Sequence, residues 1–414
     1  MAIIAASAFA FVTSAAHAGA PIFASTNSDS DILGVALVTD TETTLVNPWG
    51  LTPGPEGNLH VNINGAGVNG HYAPSGALIS GTAIPHTFTI PQATVTSGSI
   101  GSPSGIVLNK LSYWTTGTND FVITGTGGSG PSNYLIATED GAICGYNRNV
   151  DSSAAIKAYD GSASGAGYTG AALSFAMGPN GLPEHRLYAA NFRAGTVDVF
   201  DSKFTPVALT GSNTFTDPDL PTPPTGLSWS PFNVHHIAFM GGPAGTRPTL
   251  QLRILVAYAL HSTTSNVMND VPGVGNGAVA VFTPGGQFLR ELAPANGLLN
   301  SPWGMAIAHV TVGSCGAHDF VLVGNHGDGM INNYAFDAGA KEGFHIGTLE
   351  NAVGNPLAFD GLWALHFGPK KESLKDYLGD VNDMDEDDVN LYFSAGLLGE
   401  SHGLVGRIIV PGIH

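Results

Sequence analysis

The run Gly324-Asn325-His326-Gly327-Asp328-Gly329 sets an imidazole and a carboxylate two residues apart between glycines, which let a ligand approach both closely. Glu400-Ser401-His402, followed by another glycine, repeats the pairing near the end of the chain. With Asn191, Asn325 and Asp360, these residues form a set of oxygen donors and imidazoles. Such a set suits a hard divalent cation such as Ca2+, or a mixed His/carboxylate site for a transition metal. A cation held there polarises a carbonyl or acidifies a bound water. His326, Asp328 and His402 are therefore expected as catalytic groups, and Asn191, Asn325, Asp360 and Glu400 as metal ligands. The plainer alternative stays open, because Asn and Asp at turns often hydrogen-bond their own backbone.

Residues so far apart in the chain meet only if a repeating architecture gathers them, and a repeat is present. An Asn/Ser-Pro-x-Gly/Asn corner followed by alternating apolar residues occurs as NPWGLT at Asn47, SPSGIV at Ser102, SPFNVH at Ser230 and SPWGMA at Ser301. Weaker copies, TGAALSF at Thr169 and DGLWALHF at Asp360, complete six units. The segment from Arg186 to Asp201 reads as two antiparallel strands joined through Gly195, and Phe320 to Asp337 repeats it. A unit of this size cannot bury both faces alone, so neighbours must stack around an axis. The expected fold is all-β, a six-bladed propeller. Its last unit runs out of strands, so the apolar stretch Ile32 to Asp40 is expected to supply that blade's outer edge and close the ring.

In each blade the corner before the first strand and the loop after the second lie at one channel mouth. The corners bring Asn47, Ser102, Asn233, His235 or His236, Asn300 and Asp360 there. The loops bring Asn64, Asn191, His261, Asn325, His326, Asp328, Glu400 and His402. Trp49, Trp303 and Trp363 fall inside the repeated corners, where packing between blades is the expected role.

Composition agrees. The chain's 56 Gly and 26 Pro, with only 11% charged residues, suit short strands and tight turns. A net charge of −18 repels polyanions, which argues against nucleic acid as a partner. Residues 1–18, an apolar stretch ending Ala16-His17-Ala18, read as a secretory signal peptide ahead of one propeller domain over 19–414. No later segment has the apolar length of a membrane span, and the C-terminus shows no sorting tail or anchor. The protein is expected to be secreted and monomeric. Cys144 and Cys315 fall in different units and read as separate thiols rather than a disulfide framework.

The corners, with the Ala190-Asn191-Phe192 run to Asp201, the GNHGDG loop and the closing Glu400 to Gly406 stretch, resemble a family of uncharacterised secreted six-bladed propellers. Bacterial members of that family often carry a C-terminal exosortase sorting tail, which this chain lacks. More distantly the architecture is similar to NHL-type and gluconolactonase-like propellers, and that resemblance implies metal-dependent lactonase or lyase chemistry in some members. It assigns no activity here.

Other motifs fail their physical tests. The run Asp380 to Asn390 lacks the sixth-position glycine and closing glutamate of a calcium loop, and reads as a solvated acidic loop. Gly65-x-Gly67-x-x-Gly70 and Gly125-x-Gly127-x-x-Gly130 open no helix of a βαβ unit. Two function classes follow: a binding protein taking a small molecule, glycan or protein at the channel mouth, and a metal-assisted hydrolase or lyase using the same mouth.

Overall fold

The glycine of each corner explains how the blades meet. A Cβ at Gly50 would overlap the carbonyl oxygen of Ser104 in the next unit, and one at Gly105 would overlap the backbone of Gly170 and Ala171. Gly304 stands in the same relation to Trp363 and Leu365. Inner strands can therefore approach backbone to backbone only where no side chain stands between them. Unit four has Asn233 instead, and its Nδ2 donates to the Trp303 carbonyl at 2.7 Å, so a side chain makes the same junction. In blades 1, 5 and 6 a left-handed residue leads into the inner strand: Asn47 (φ 50°), Ser301 (φ 48°) and Gly361 (φ 62°).

The computed structural model describes residues 24–409 apart from 33, 37, 40–43, 55–56, 78, 80–86, 95–99, 111–118, 179, 242–248, 265–267, 312–316, 337–342 and 369–389. It is an all-β propeller of six blades. Their inner strands are Pro48–Pro53, Pro103–Leu108, Tyr168–Met177, Leu227–Gly241, Pro302–Thr311 and Leu362–Phe367, and each neighbours the next around the ring. Each blade then runs outward antiparallel. Blades 1, 2, 4 and 5 have four strands, while blade 3 stops at three. A hairpin, Val122–Gly125 with Gly128–Pro131, is inserted in blade 2.

Blade 6 closes the ring with an N-terminal strand, but not the one the apolar pattern indicates. Ala24–Ser30, reading ASTNSDS, pairs antiparallel with His402–Ile409. Of the stretch Ile32 to Asp40, residues 33, 37 and 40 lie outside the described residues; among the rest, Gly34 is left-handed and Val38–Thr39 pairs parallel to Ala24–Ser30, on its outer side. Val35 and Ala36 pack on the core of blades 5 and 6. Asp31 fixes the closure by accepting the Gly403 N–H at 2.9 Å and meeting His402 Nδ1 at 2.8 Å, while Ser30 Oγ donates to the Gly403 carbonyl at 2.8 Å. Asp31→Ala removes two of these bonds and is expected to cost about 1–2 kcal/mol, read as a lower urea midpoint with an unchanged slope.

Cys144 is buried, and burial lifts its thiol well above the ordinary value, so it behaves as a small core residue. Cys315, residues 1–18 and 380–389 of the acidic run lie outside the described residues. Among the described residues no helix is long and apolar enough to cross a membrane.

Candidate functional site

The residue after the corner proline is aromatic in blades 1, 4 and 5, as Trp49, Phe232 and Trp303, and Trp363 stands in the matching place in blade 6. Trp49 and Trp363 stack at 3.8 Å, and Trp303 stands edge-on to Trp363 at 5.6 Å and to Trp49 at 6.4 Å. Phe232 lies 5.8 Å from Trp363. Trp49 and Trp303 belong to non-adjacent blades, as do Phe232 and Trp363, so these contacts cross the axis. Trp303 Nε1 crosses it too, donating to the Thr169 carbonyl of blade 3 at 3.0 Å. The tryptophans thus pack between neighbouring blades, as expected, with Trp363 on both Trp49 and Trp303, and also reach across the centre.

His326 lies on this cluster, its ring stacked on Trp363 at 3.9 Å. Nε2 stands 3.6 Å from Glu400 Oε1 and 3.9 Å from Asp270 Oδ1. His326 Nδ1 and Asp270 Oδ2 are shut off from solvent without a hydrogen-bond partner among the described residues. Buried polar atoms are ordinarily satisfied, so these two mark a place where water or a ligand group belongs.

Glu400 is presented by an unusual backbone. Leu398, Gly399 and Glu400 are all left-handed, at φ 54°, 65° and 66°. Each non-glycine residue in that conformation costs on the order of 1–2 kcal/mol, and the surroundings hold the turn in place. Asp360 Oδ2 accepts the Leu398 N–H at 2.8 Å, and Ser401 Oγ donates to the Leu398 carbonyl at 2.9 Å. Asn47 Nδ2 donates to Glu400 Oε2 at 3.1 Å, while its own Oδ1 accepts from Trp363 Nε1 at 3.1 Å. Burial raises the Glu400 carboxyl above its ordinary range and Asp270 adds to this, while His326 and Asn47 oppose it.

A third carboxyl at the mouth, Glu139, went unread in the sequence. Its Oε2 accepts from Asn64 Nδ2 at 2.6 Å. Burial pushes it up to about 7, the Asn64 bond opposes that, and Glu400 and Asp140 raise it further. Glu139 follows the second strand of blade 2, the position that Asn64 holds in blade 1 and His326 closely matches in blade 5. Aligning second-strand exits across units would have found it; the local sequence, Thr-Glu-Asp-Gly, looks like an ordinary turn. Asp270 was hidden in the insertion after His261.

The remaining expected site residues are spread among structural tasks. Asn191 Oδ1 accepts the Gly167 and Ala194 N–H groups at 3.0 and 3.2 Å, and its Nδ2 donates to Asp198 at 2.9 Å. Asn325 links the Asn300 N–H and the Leu298 carbonyl at 3.1 Å each. Asn300 Oδ1 accepts the Gly273 N–H at 2.6 Å. Asp328 caps its own turn through the Met330 N–H at 3.0 Å and receives Asn300 Nδ2 at 3.0 Å. Asp360 supports the Glu400 turn, and His402 meets Asp31 at the ring closure, as described above. Ser102 serves through its backbone, with its carbonyl accepting the Glu139 N–H at 2.9 Å. His261 faces Phe192 at 5.1 Å. His235 and His236 are pushed down to about 3 by burial, reinforced by His366 for the first and by His235 and Lys110 for the second. His366 and Lys110 lie toward the far ends of their inner strands, so this imidazole group belongs to the opposite end of the channel. Of the seven expected catalytic and metal-binding residues, His326 and Glu400 come together directly. Among the described residues no three His, Cys, Asp or Glu side chains form a group able to hold a metal ion.

No protein-family model matches the chain. Three proteins of Acanthamoeba polyphaga mimivirus, each described as uncharacterized, are similar to it. One is 26% identical over 306 residues, covering 74% of this chain and 62% of the relative. A second is 31% identical over 228 residues, covering 55% and 50%, and a third is 29% identical over 231 residues, covering 56% and 37%. The chain thus spans less than two thirds of the length of these relatives. Among solved structures, a streptogramin B lyase is similar at 10% identity, with 93% of this chain and 96% of that one covered and a TM-score of 0.40. The N-terminal domain of Nup159 follows at 7% identity, 94% and 96% coverage and a TM-score of 0.38. The Dos1 propeller matches at 8% identity, 89% and 78% coverage and a TM-score of 0.37. Likeness at this level transfers no chemistry.

Proposed function

We propose that this chain is a secreted binding protein that takes a small polar ligand, such as an amine or an amino sugar, in the channel mouth beside the tryptophans. The observation that carries the reading is the placement of His326. Its ring is fixed on Trp363, Nε2 faces two carboxylates, and a buried imidazole nitrogen and a buried carboxylate oxygen lack partners. Such a convergence of polar groups beside apolar rings is the usual make-up of a ligand pocket. Carboxylates dominate it, so ligand groups that donate hydrogen bonds or carry positive charge are favoured. Secretion rests on the leader-like residues 1–18.

The test is a thermal-shift screen with amines, amino sugars and neutral sugars, followed by calorimetry on the hits. His326→Ala and Glu400→Gln are each expected to weaken a hit at least tenfold, corresponding to about 1.4 kcal/mol. Hits that bind both variants as tightly as the parent would remove the mouth as the site.

A second reading, hydrolysis or elimination at the same mouth with or without a divalent cation, is favoured by one observation. The Glu139 carboxyl is pushed to about 7, where a group can both give and take a proton at neutral pH. A panel of lactones and esters, assayed with and without chelator, separates the readings. Turnover lost in His326→Ala supports chemistry, and a silent panel leaves binding.

A further inference from the structure

Blade 3 ends at its third strand, Thr196–Asp201, and a strap of residues 202–226 lies where a fourth strand would be. The strap touches that edge briefly: Phe200 pairs with Pro206, and the Val207 N–H donates to the Val199 carbonyl at 2.7 Å. It then crosses to blade 4, where the Phe215 N–H donates to Gly286 at 2.9 Å, Tyr258 donates to the Phe215 carbonyl, and Trp229 Nε1 donates to the Pro221 carbonyl at 2.8 Å. Prolines at 206, 218, 221, 223 and 224 deny it the ladder of N–H bonds that a true strand would make.

Past the edge contacts, where Phe204 at 6% exposure packs in the core of blades 2 and 3, the strap's two deeply buried side chains are Phe215 at 2% and Asp217 at 5%, with Leu209 and Leu220 partly buried beside them. Phe215 belongs to the apolar cluster of blades 3 and 4. Asp217 Oδ1 accepts the Asp219 N–H at 2.9 Å, but Oδ2 is cut off from solvent and has no partner among the described residues. One of these two side chains is therefore an acid that can be buried cheaply only while neutral.

We propose that the strap is a pH-sensitive cover, closed while Asp217 carries its proton and opened as Asp217 ionises, which bares the edge of Thr196–Asp201. Burial raises the Asp217 carboxyl to about 6, the Asp219 N–H opposes this, and the Asp219 charge adds to it. Among the described residues, the ionisable groups acting on it are Asp219, on the strap, and Tyr258, on blade 4. Tyr258 stays a neutral phenol, because burial lifts it well above 10. The closed form holds the Asp217 proton more tightly than the open form. The stabilisation that Asp217 gives the closed form is thus fully present below the ordinary carboxylate range and is lost as pH rises toward about 6.

Amide hydrogen exchange on the whole chain, corrected for the intrinsic rate, tests this at pH 4, 5, 6 and 7.5. Opening of the 205–221 region is expected to increase roughly tenfold per pH unit between about 4 and 6 and then level off. Emission from Trp229 should shift red in step as its indole loses Pro221. Asp217→Asn should stay closed at every pH. Asp219→Asn, at an exposed position, removes a charge that raises the Asp217 carboxyl and should move the upper limit of the response to lower pH. Strap exchange that does not vary with pH in the parent, a pH response surviving in Asp217→Asn, or a limit unmoved in Asp219→Asn would each overturn the proposal.

Discussion

An alanine at Gly50 is expected to lower the unfolding free energy by about 3 kcal/mol, whereas an alanine at Gly347 should leave it unchanged or raise it by about 0.5–1 kcal/mol. The two glycines both sit in strands, but their surroundings differ. A Cβ at Gly50 would meet the Ser104 carbonyl and then the Ile106 N–H nitrogen at 3.0 Å, all of it backbone of the next blade. Backbone cannot rotate away as a side chain can, so blades 1 and 2 must separate or a strand must shift. Gly347, on the outer strand of blade 5, has nothing within 4 Å of the built Cβ, so alanine there only restricts the unfolded chain. Paired urea titrations give the comparison, and equal midpoints for the two variants would show that the corner glycines are not what sets the blade spacing.

That steric role is why the architecture was readable. A corner that supplies an axis-facing residue and then a close junction with the neighbouring backbone leaves a fixed sequence trace, which recurs at Pro48, Pro103, Pro231 and Pro302, with a left-handed residue before Pro48 and Pro302. Unit six keeps the same geometry with Gly361 and Trp363 despite losing the proline. The closing strand was misplaced because its residues carry no apolar signal. In Ala24–Ser30 the buried Ser28, Asp29 and Ser30 are polar, with Ser30 Oγ bonded to the Gly403 carbonyl, while Val35 and Ala36 of the apolar stretch pack on the core of blades 5 and 6. Periodicity reports which residues are covered, and it does not say whether a sheet or a turn covers them.

The mouth was legible only where a residue's chemistry is unusual for its place. His326 stood out between glycines, and its ring stacks on Trp363 with Nε2 facing Glu400 and Asp270. Asn191, Asn325 and Asp328 stood out in the same way, yet their side chains are engaged with backbone and neighbouring amides. Nothing in a short segment distinguishes an amide that faces a ligand from one that braces a loop, because both favour the ends of strands. Glu139 and Asp270 show the converse. Their roles come from what the ring brings against them, Asn64 from blade 1 for one and His326 from blade 5 for the other.

Glu139→Gln is expected to stabilise the protein by about 2–3 kcal/mol at pH 8 and to make little difference at pH 4. The folded carboxyl is raised from 4.5 to about 7, so the native state binds this proton more tightly than the unfolded chain. Between those values the native state is more protonated, and each pH unit removes about 1.4 kcal/mol of stability until the group ionises in both states. Partial exposure of the residue trims the full figure. Glutamine keeps an oxygen for Asn64 Nδ2 and carries no charge toward Glu400, so it retains the bond and escapes the penalty. Chemical denaturation of parent and variant at pH 4, 6 and 8 gives the difference directly. A stability gap that stays constant with pH would mean that Glu139 is already ionised in the folded protein at pH 4, and that Asn64 and Arg193 outweigh its burial.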